Sequence, residues 1–242
     1  GGIMIMKLIQ LKQVLDNKRF LLFTIFIPVA WYVFLYNIQQ GITPNLMLGI
    51  AVFIGIIGNS LATFSKRISS NIDFYSFESK FSKYTVKNYL LDQTLVQLVL
   101  NTLIFIVVLA VGLIFFSFPL NSQLVVQFFL LTIMGIYFSI IGFVIGVRID
   151  EKIIDTVSFP VIILASMTII PFASLGAEGG FMEFIGKAQM IFPGYYYTNI
   201  VNALTTSTSI DVKDVALFIG VFILNVIPLY FLVPKVKLAT VK

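Results

Sequence analysis

Residues 95–116 read LVQLVLNTLIFIVVLAVGLIFF, a run without one charged side chain. A helix crosses the hydrocarbon core of a bilayer with about 20 consecutive apolar residues, whereas a helix at the surface of a soluble protein needs a polar face. This run belongs to a stretch at about residues 90–117, and five more of the kind lie at about 20–38, 45–64, 124–147, 157–174 and 215–233. None of the six holds Lys, Arg, Asp or Glu apart from Asp92, close to the start of the third. Hydrophobicity alone allows buried strands, but the lengths decide for helices. The whole chain agrees: 59% of it is hydrophobic and 11% charged, against about 25% charged in a soluble domain. The expected fold is an all-α integral membrane protein with six transmembrane helices.

Orientation follows from the basic residues, which gather on the cytoplasmic side. With both termini inside, the inner segments hold Lys7, Lys12, Lys18 and Arg19, then Lys66, Arg67, Lys80, Lys83 and Lys87, then Arg148 and Lys152, and finally Lys235, Lys237 and Lys242. Only Lys187 and Lys213 are left outside. The reversed topology puts nearly all of them on the wrong face. The chain then divides into an interfacial helix (3–19), helices 1 and 2 (20–64), a cytoplasmic segment (65–89), helices 3 and 4 (90–147), a cytoplasmic loop with helix 5 (148–174), an external segment (175–213), and helix 6 with its tail (214–242). Gly1 and Gly2 read as a cleavage scar, and no cleavable signal pattern follows them.

The chemistry available is narrow. There is no cysteine and no histidine, which removes disulfides, thiolate metal sites, thiol nucleophiles and the usual general base. A phosphate-cradling loop needs G-x-x-x-x-G-K-[ST]. The nearest approach, GFMEFIGKA at 180–188, has one residue too many and an alanine where the hydroxyl belongs. No catalytic, cofactor or metal site is expected on the chain. Asn59, Asn101 and Asn225, with Ser139, Ser166 and Thr168, are the notable polar groups within the spans; they either tie helices together or line a substrate path. Gly135, Ser139, Gly142 and Gly146 form a small-residue stripe on one face of helix 4, suited to close packing within one subunit.

Two segments outside the spans carry pattern. At the N-terminus Met4, Leu8, Leu11 and Leu15 share a face, as in an amphipathic helix on the inner leaflet, with Lys18 and Arg19 anchoring the turn into the membrane. In the external segment, Phe181, Phe184, Ile185, Ala188 and Phe192 lie near one face, and PGYYYTNIVNAL begins a second apolar piece too short to span. Backbone at membrane depth must be buried in protein or line a cavity, so these pieces are expected to be paired re-entrant half-helices. Their junction is at Phe192, Pro193, Gly194 and Tyr195. A simple external cap with an interfacial aromatic belt is the alternative.

The cytoplasmic segment SKRISSNIDFYSFESKFSKYTVKNY (65–89) is the one long polar stretch of the first half. Phe74, Phe77, Phe81 and Tyr84 are spaced for one helical stripe, and Lys80, Lys83 and Lys87 for an adjacent one. Such a helix can lie in the lipid boundary or dock its aromatic knobs into a groove of a cytosolic partner. Nucleic-acid binding fits a short membrane loop poorly. A protein without its own energy source needs such a handle.

These features together resemble the ABC-2 type permeases, the membrane subunits of bacterial ABC exporters with a type V exporter-like fold. The resemblance runs over nearly the whole chain. It rests on NKRFLLFTIFIPVAWYVFLY, GIIGNSLATFSKRI, IGFVIGVRIDEKIIDTVSFPVIIL and FPGYYYTNIVNAL in that order. It implies a coupling helix between helices 2 and 3, a separate cytosolic ATPase subunit that carries ATP and Mg, and a second permease, identical or homologous. Carried onto this sequence, the ATPase contact centres on Phe77, Glu78 and Phe81, with Asp73, Phe74, Lys80 and Tyr84 around them. The implied location is the bacterial cytoplasmic membrane, with lipids as the other partners. The implied function is export of a hydrophobic or amphipathic peptide, lipid or drug. A membrane protein that sequesters a toxic peptide without pumping fits the same composition.

Overall fold

The computed structural model describes residues 2–38, 43–81, 85–170, 172 and 179–233, and the regular structure among them is helical. Helix α1 (Gly2–Leu15) is followed by α2 (Lys18–Ile38). The break between them is set by Asn17, whose side-chain oxygen accepts from the backbone N–H of Arg19 at 2.9 Å, the usual N-cap arrangement. Helix α3 covers residues 44–81 and starts with Thr43 as cap and Pro44 in the first turn, where proline's missing N–H costs nothing. Then come α4 (Val86–Phe115), capped by Thr85, and α5 (Gln123–Arg148). They are followed by α6 (Glu151–Met167), α7 (Gly180–Gln189), α8 (Pro193–Thr205), again with proline first, and α9 (Val212–Leu232), capped by Asp211.

Five of these helices, α2, α3, α4, α5 and α9, are long and apolar enough to cross a membrane. Helix α3 is the central one. Of its apolar stretch 83% is buried by other helices, against 6% for α9. Leu48, Ala51, Val52, Ile56, Ile57 and Leu61 of α3 are fully buried or nearly so, packed with Ile104 and Val108 of α4, Met134 and Phe138 of α5, and Tyr197, Ile200 and Val201 of α8. The outward residues of α9, among them Leu224, Ile227 and Phe231, stand exposed. Such surface is stable in hydrocarbon and not in water.

The expected boundary between helix 2 and a separate cytoplasmic helix is absent. Residues 44–81 form one uninterrupted helix, about 57 Å long at 1.5 Å per residue. The reason lies in the sequence: from Asn59 to Phe81 there is no glycine or proline, so nothing breaks the helix where hydrophobicity stops. A π-helical turn at Asn59–Phe64 interrupts its regularity, and α2 has another at Leu22–Phe26.

Helix α6 also differs from expectation. It starts at Glu151 and ends at Met167, instead of running over 157–174. With 17 residues it reaches about 25 Å, short of the ~30 Å hydrocarbon core. It begins directly after Asp150, whose backbone is extended and whose side chain makes no cap bond, before the apolar run begins.

Polar ties close the bundle at both ends. At one, the Asn45 amide donates to Asn121 and Gln127, each at 3.0 Å, and the Gln127 amide donates to the Asn45 carbonyl at 2.9 Å. These join the starts of α3 and α5. At the other, the Arg148 guanidinium donates twice to the Leu232 carbonyl, at 2.9 and 2.7 Å, and Ser69 donates to the Ile149 carbonyl at 2.8 Å.

Candidate functional site

The end of the bundle that carries Arg19, Lys66, Arg148 and Asp155 also carries the polar extension of α3. Beyond Ser65 that helix leaves the main core and builds a smaller one, in which Phe64, Ile68, Tyr75, Tyr89 and Phe143 are buried together. The rings of Tyr75 on α3 and Tyr89 on α4 stack at 4.3 Å with 10° between their planes, a nearly parallel pair slightly closer than the ~4.5–7 Å usual for aromatic contacts. The extension is thus one arm of an antiparallel hairpin with α4.

Two residues on from Tyr75, about 200° around the helix, Phe77 faces away from this core and is 63% exposed. Asp73 is exposed as well. Phe74, Glu78, Lys80 and Phe81 continue the helical backbone, their side chains lying outside what is described, and Tyr84 lies outside the described residues altogether. The stripe expected from Phe74 to Tyr84 is therefore continuous helix as far as Phe81.

The base of this arm is held by ions. Asp155 accepts from Lys66 at 2.7 Å and also from Arg19, so one carboxylate of α6 ties α2 to α3. Glu151, one turn earlier on α6, lies 3.6 Å from Lys66. The hydrogen bonds from Lys66 and Arg19 hold the Asp155 carboxyl below the ordinary carboxylate range. Its side chain is 43% exposed, so solvent screens the cluster and each pair is worth no more than about 1 kcal/mol. In the sequence Lys66 served only to orient the chain, and Arg19 to orient it and to anchor the turn into the membrane. The signal that was available is the four-residue spacing of Glu151 and Asp155, which puts both acids on one helical face.

The small-residue stripe of α5 packs against α3. A Cβ added at Gly142 would lie 2.1 Å from the Ser60 carbonyl oxygen, and one at Gly146 2.6 Å from that of Ser65. At Gly135 it would meet the Asn101 amide at 2.7 Å. Ser139, fully buried, donates back to the Gly135 carbonyl at 2.6 Å. The stripe lets the two backbones meet beside the π-helical turn of α3.

Of the three asparagines, Asn225 is a tie: it accepts from the Tyr137 hydroxyl at 3.1 Å and donates to the Ile191 carbonyl at 2.9 Å, joining α9, α5 and the α7–α8 junction. Asn101 accepts from Gln97 at 3.3 Å, while its amide nitrogen has no partner. Asn59 is fully buried in the π-helical turn with neither amide atom bonded. The unbonded hydroxyls of Thr24, Ser60 and Thr63 belong to the same two π-helical turns.

The segment between α6 and α9 forms two short helices. Tyr196, Tyr197, Ile200 and Val201 of α8 are buried in the main core, whereas Phe181 and Phe184 of α7 are exposed. The junction at Phe192, Pro193, Gly194 and Tyr195 starts α8 with Phe192 at the cap. Gly194 is needed for close approach, since its Cβ would sit 2.7 Å from the Ile169 side chain. The amide of Gln189 donates to the carbonyls of Met167 and Ile170, both at 2.7 Å, and Thr198 donates to the Ile169 carbonyl at 3.0 Å. These bonds cap the end of α6. No sequence pattern marked Gln189 for this.

Fold and surface together define a class: an all-helical, multi-pass membrane protein. No family model matches this sequence, and no curated protein and no solved structure is significantly similar to it.

Proposed function

We propose that this chain is the permease subunit of an ATP-driven exporter in a bacterial cytoplasmic membrane. It moves a hydrophobic or amphipathic molecule, a peptide, lipid or drug, out of the cell. Six spans are completed by α6 together with the turn and helices that follow it, and both termini face the cytoplasm. A separate cytosolic ATPase supplies the energy, holding ATP and Mg, and a second permease of the same kind completes the path. Helices α7 and α8 form the re-entrant element on the external side.

The observation that carries this reading is the unbroken α3. It runs from the centre of the bundle to an arm on which Phe77 is exposed, so a push on residues 73–81 is carried along continuous helix to the packed contacts at Gly142 and Gly146. A second support is chemical: the sequence has no phosphate-cradling loop, so an ATP-driven transporter built from it draws on another protein for hydrolysis.

The test is affinity purification in mild detergent of the wild type and of the Phe77→Asp, Phe81→Asp double variant. Wild type is expected to bring down an ATPase, and the double variant to insert normally but lose it. Undiminished recovery of the ATPase with the double variant overturns the proposed contact. A wild-type chain that recovers no ATPase overturns the exporter reading itself.

A further inference from the structure

Beside the ion cluster lies a cavity of about 230 Å³ where α1, α2, α3, α4 and α6 converge, lined by Asn17, Arg19, Lys66, Arg67, Ser70 and Gln93 among others. Drug-sized ligands occupy about 300–1,000 Å³, so this one suits a small polar group. Its walls carry three cations and one carboxylate, Glu151, which lies 3.6 Å from Lys66; Asp155, outside the lining, is engaged by Arg19 and Lys66. Arg67 pairs with no carboxylate among the described residues. Its Nη2 reaches Gln97 at 3.4 Å and its guanidinium lies 5.0 Å over the Phe64 ring. Its Nε and Nη1 are shielded from solvent without an acceptor. The hydroxyl of Thr63, which lines the same cavity, is likewise buried and unbonded. A guanidinium presents five donors in a fixed fork that matches phosphate oxygens; the two unbonded nitrogens lie behind the cavity wall, so a phosphate engages them once the Arg67 side chain turns into the cavity.

We propose that this cavity is a phosphate-binding site, with Arg67 as its principal ligand and Lys66, Arg19 and the neutral donors around it completing the shell. The phosphate arrives either on an anionic phospholipid or free in solution. The surroundings fit the lipid-borne form: Leu8 and Leu15 of α1 and Leu21, Leu22 and Ile25 of α2 are exposed apolar residues on two of the helices that line the cavity. They offer a track for acyl chains whose head enters the cavity. The proposal is independent of any ATPase partner and stands or falls by binding alone.

The test uses the full chain in neutral maltoside micelles, heated with increasing amounts of short-chain phosphatidylglycerol, short-chain phosphatidylcholine or inorganic phosphate. A ligand bound only by the folded state raises the unfolding temperature in proportion to its occupancy. Phosphatidylglycerol is expected to raise it, at concentrations where phosphatidylcholine does little. In Arg67→Gln the half-saturating concentration should rise roughly tenfold or more, as for loss of a charge-assisted fork. Ser70→Asp, at an exposed position of the lining, should weaken binding in the same direction and guards against a folding defect in the arginine variant. An equal effect of inorganic phosphate keeps the site and assigns it to the free anion. Equal responses to phosphatidylglycerol and phosphatidylcholine without a response to inorganic phosphate, or a Ser70→Asp variant that responds like wild type, overturn the proposal.

Discussion

At the scale of single residues, the packing of α3 against α5 turns on atoms that are not there. Gly142 sits where a methyl group would meet a backbone carbonyl at 2.1 Å, and backbone cannot rotate away as a side chain can. Gly142→Ala gains about 1 kcal/mol of helix propensity but incurs an overpacking cost of about 1–3 kcal/mol, so a lower unfolding temperature in detergent is expected. Gly186→Ala on α7, with nothing within 4 Å of the added carbon, receives the gain without the cost and should match or exceed wild type. Comparable losses in both variants would mean that the stripe does not set the helix contact. The spacing of Gly135, Ser139, Gly142 and Gly146 was legible in the sequence as a packing face. Its partner was not, because a small-residue stripe states how close a neighbour comes and not which neighbour it is.

At the scale of elements, two boundaries were decided by opposite means. Helix α3 continues to Phe81 because no residue after Asn59 stops it; hydrophobicity marks where a membrane ends, whereas only backbone chemistry marks where a helix ends. Helix α6 ends early, and its last carbonyls are satisfied from a distance by Gln189. Gln189→Ala should cost about 1–3 kcal/mol, the usual penalty for buried polar groups left unbonded. It should also speed amide exchange at Thr168, Ile169 and Ile170, measured by mass spectrometry. Gln189→Glu keeps the shape but turns oxygens on both carbonyls, so it should be no better than alanine. Full protection in the glutamate variant would assign the cap to some other group.

At the scale of the whole molecule, the helix ends rich in basic residues come together at one pole, with Arg19, Lys66 and Arg148 all engaged there. The proposed orientation puts that pole in the cytoplasm. With no native cysteine, single-cysteine labelling tests it directly. Ser209→Cys, in the exposed turn before α9, should react with an impermeant maleimide on intact cells. Lys152→Cys, exposed at the start of α6, should react only after the cells are opened. The reverse pattern would invert the topology and remove Phe77 from the reach of any cytosolic partner.

The sequence by itself determined that this chain is helical and built for hydrocarbon, since uncharged runs of this length admit few other solutions. It also indicated which pole is basic, because charge is a property of composition and position alone. Tertiary structure decided what those charges and polar groups do. Asp155 binding two helices, the stack of Tyr75 on Tyr89 and the unused fork of Arg67 each depend on residues far apart in the chain. Such pairings leave no periodic trace in a sequence, because they are fixed by how whole helices pack and not by the spacing within any one of them.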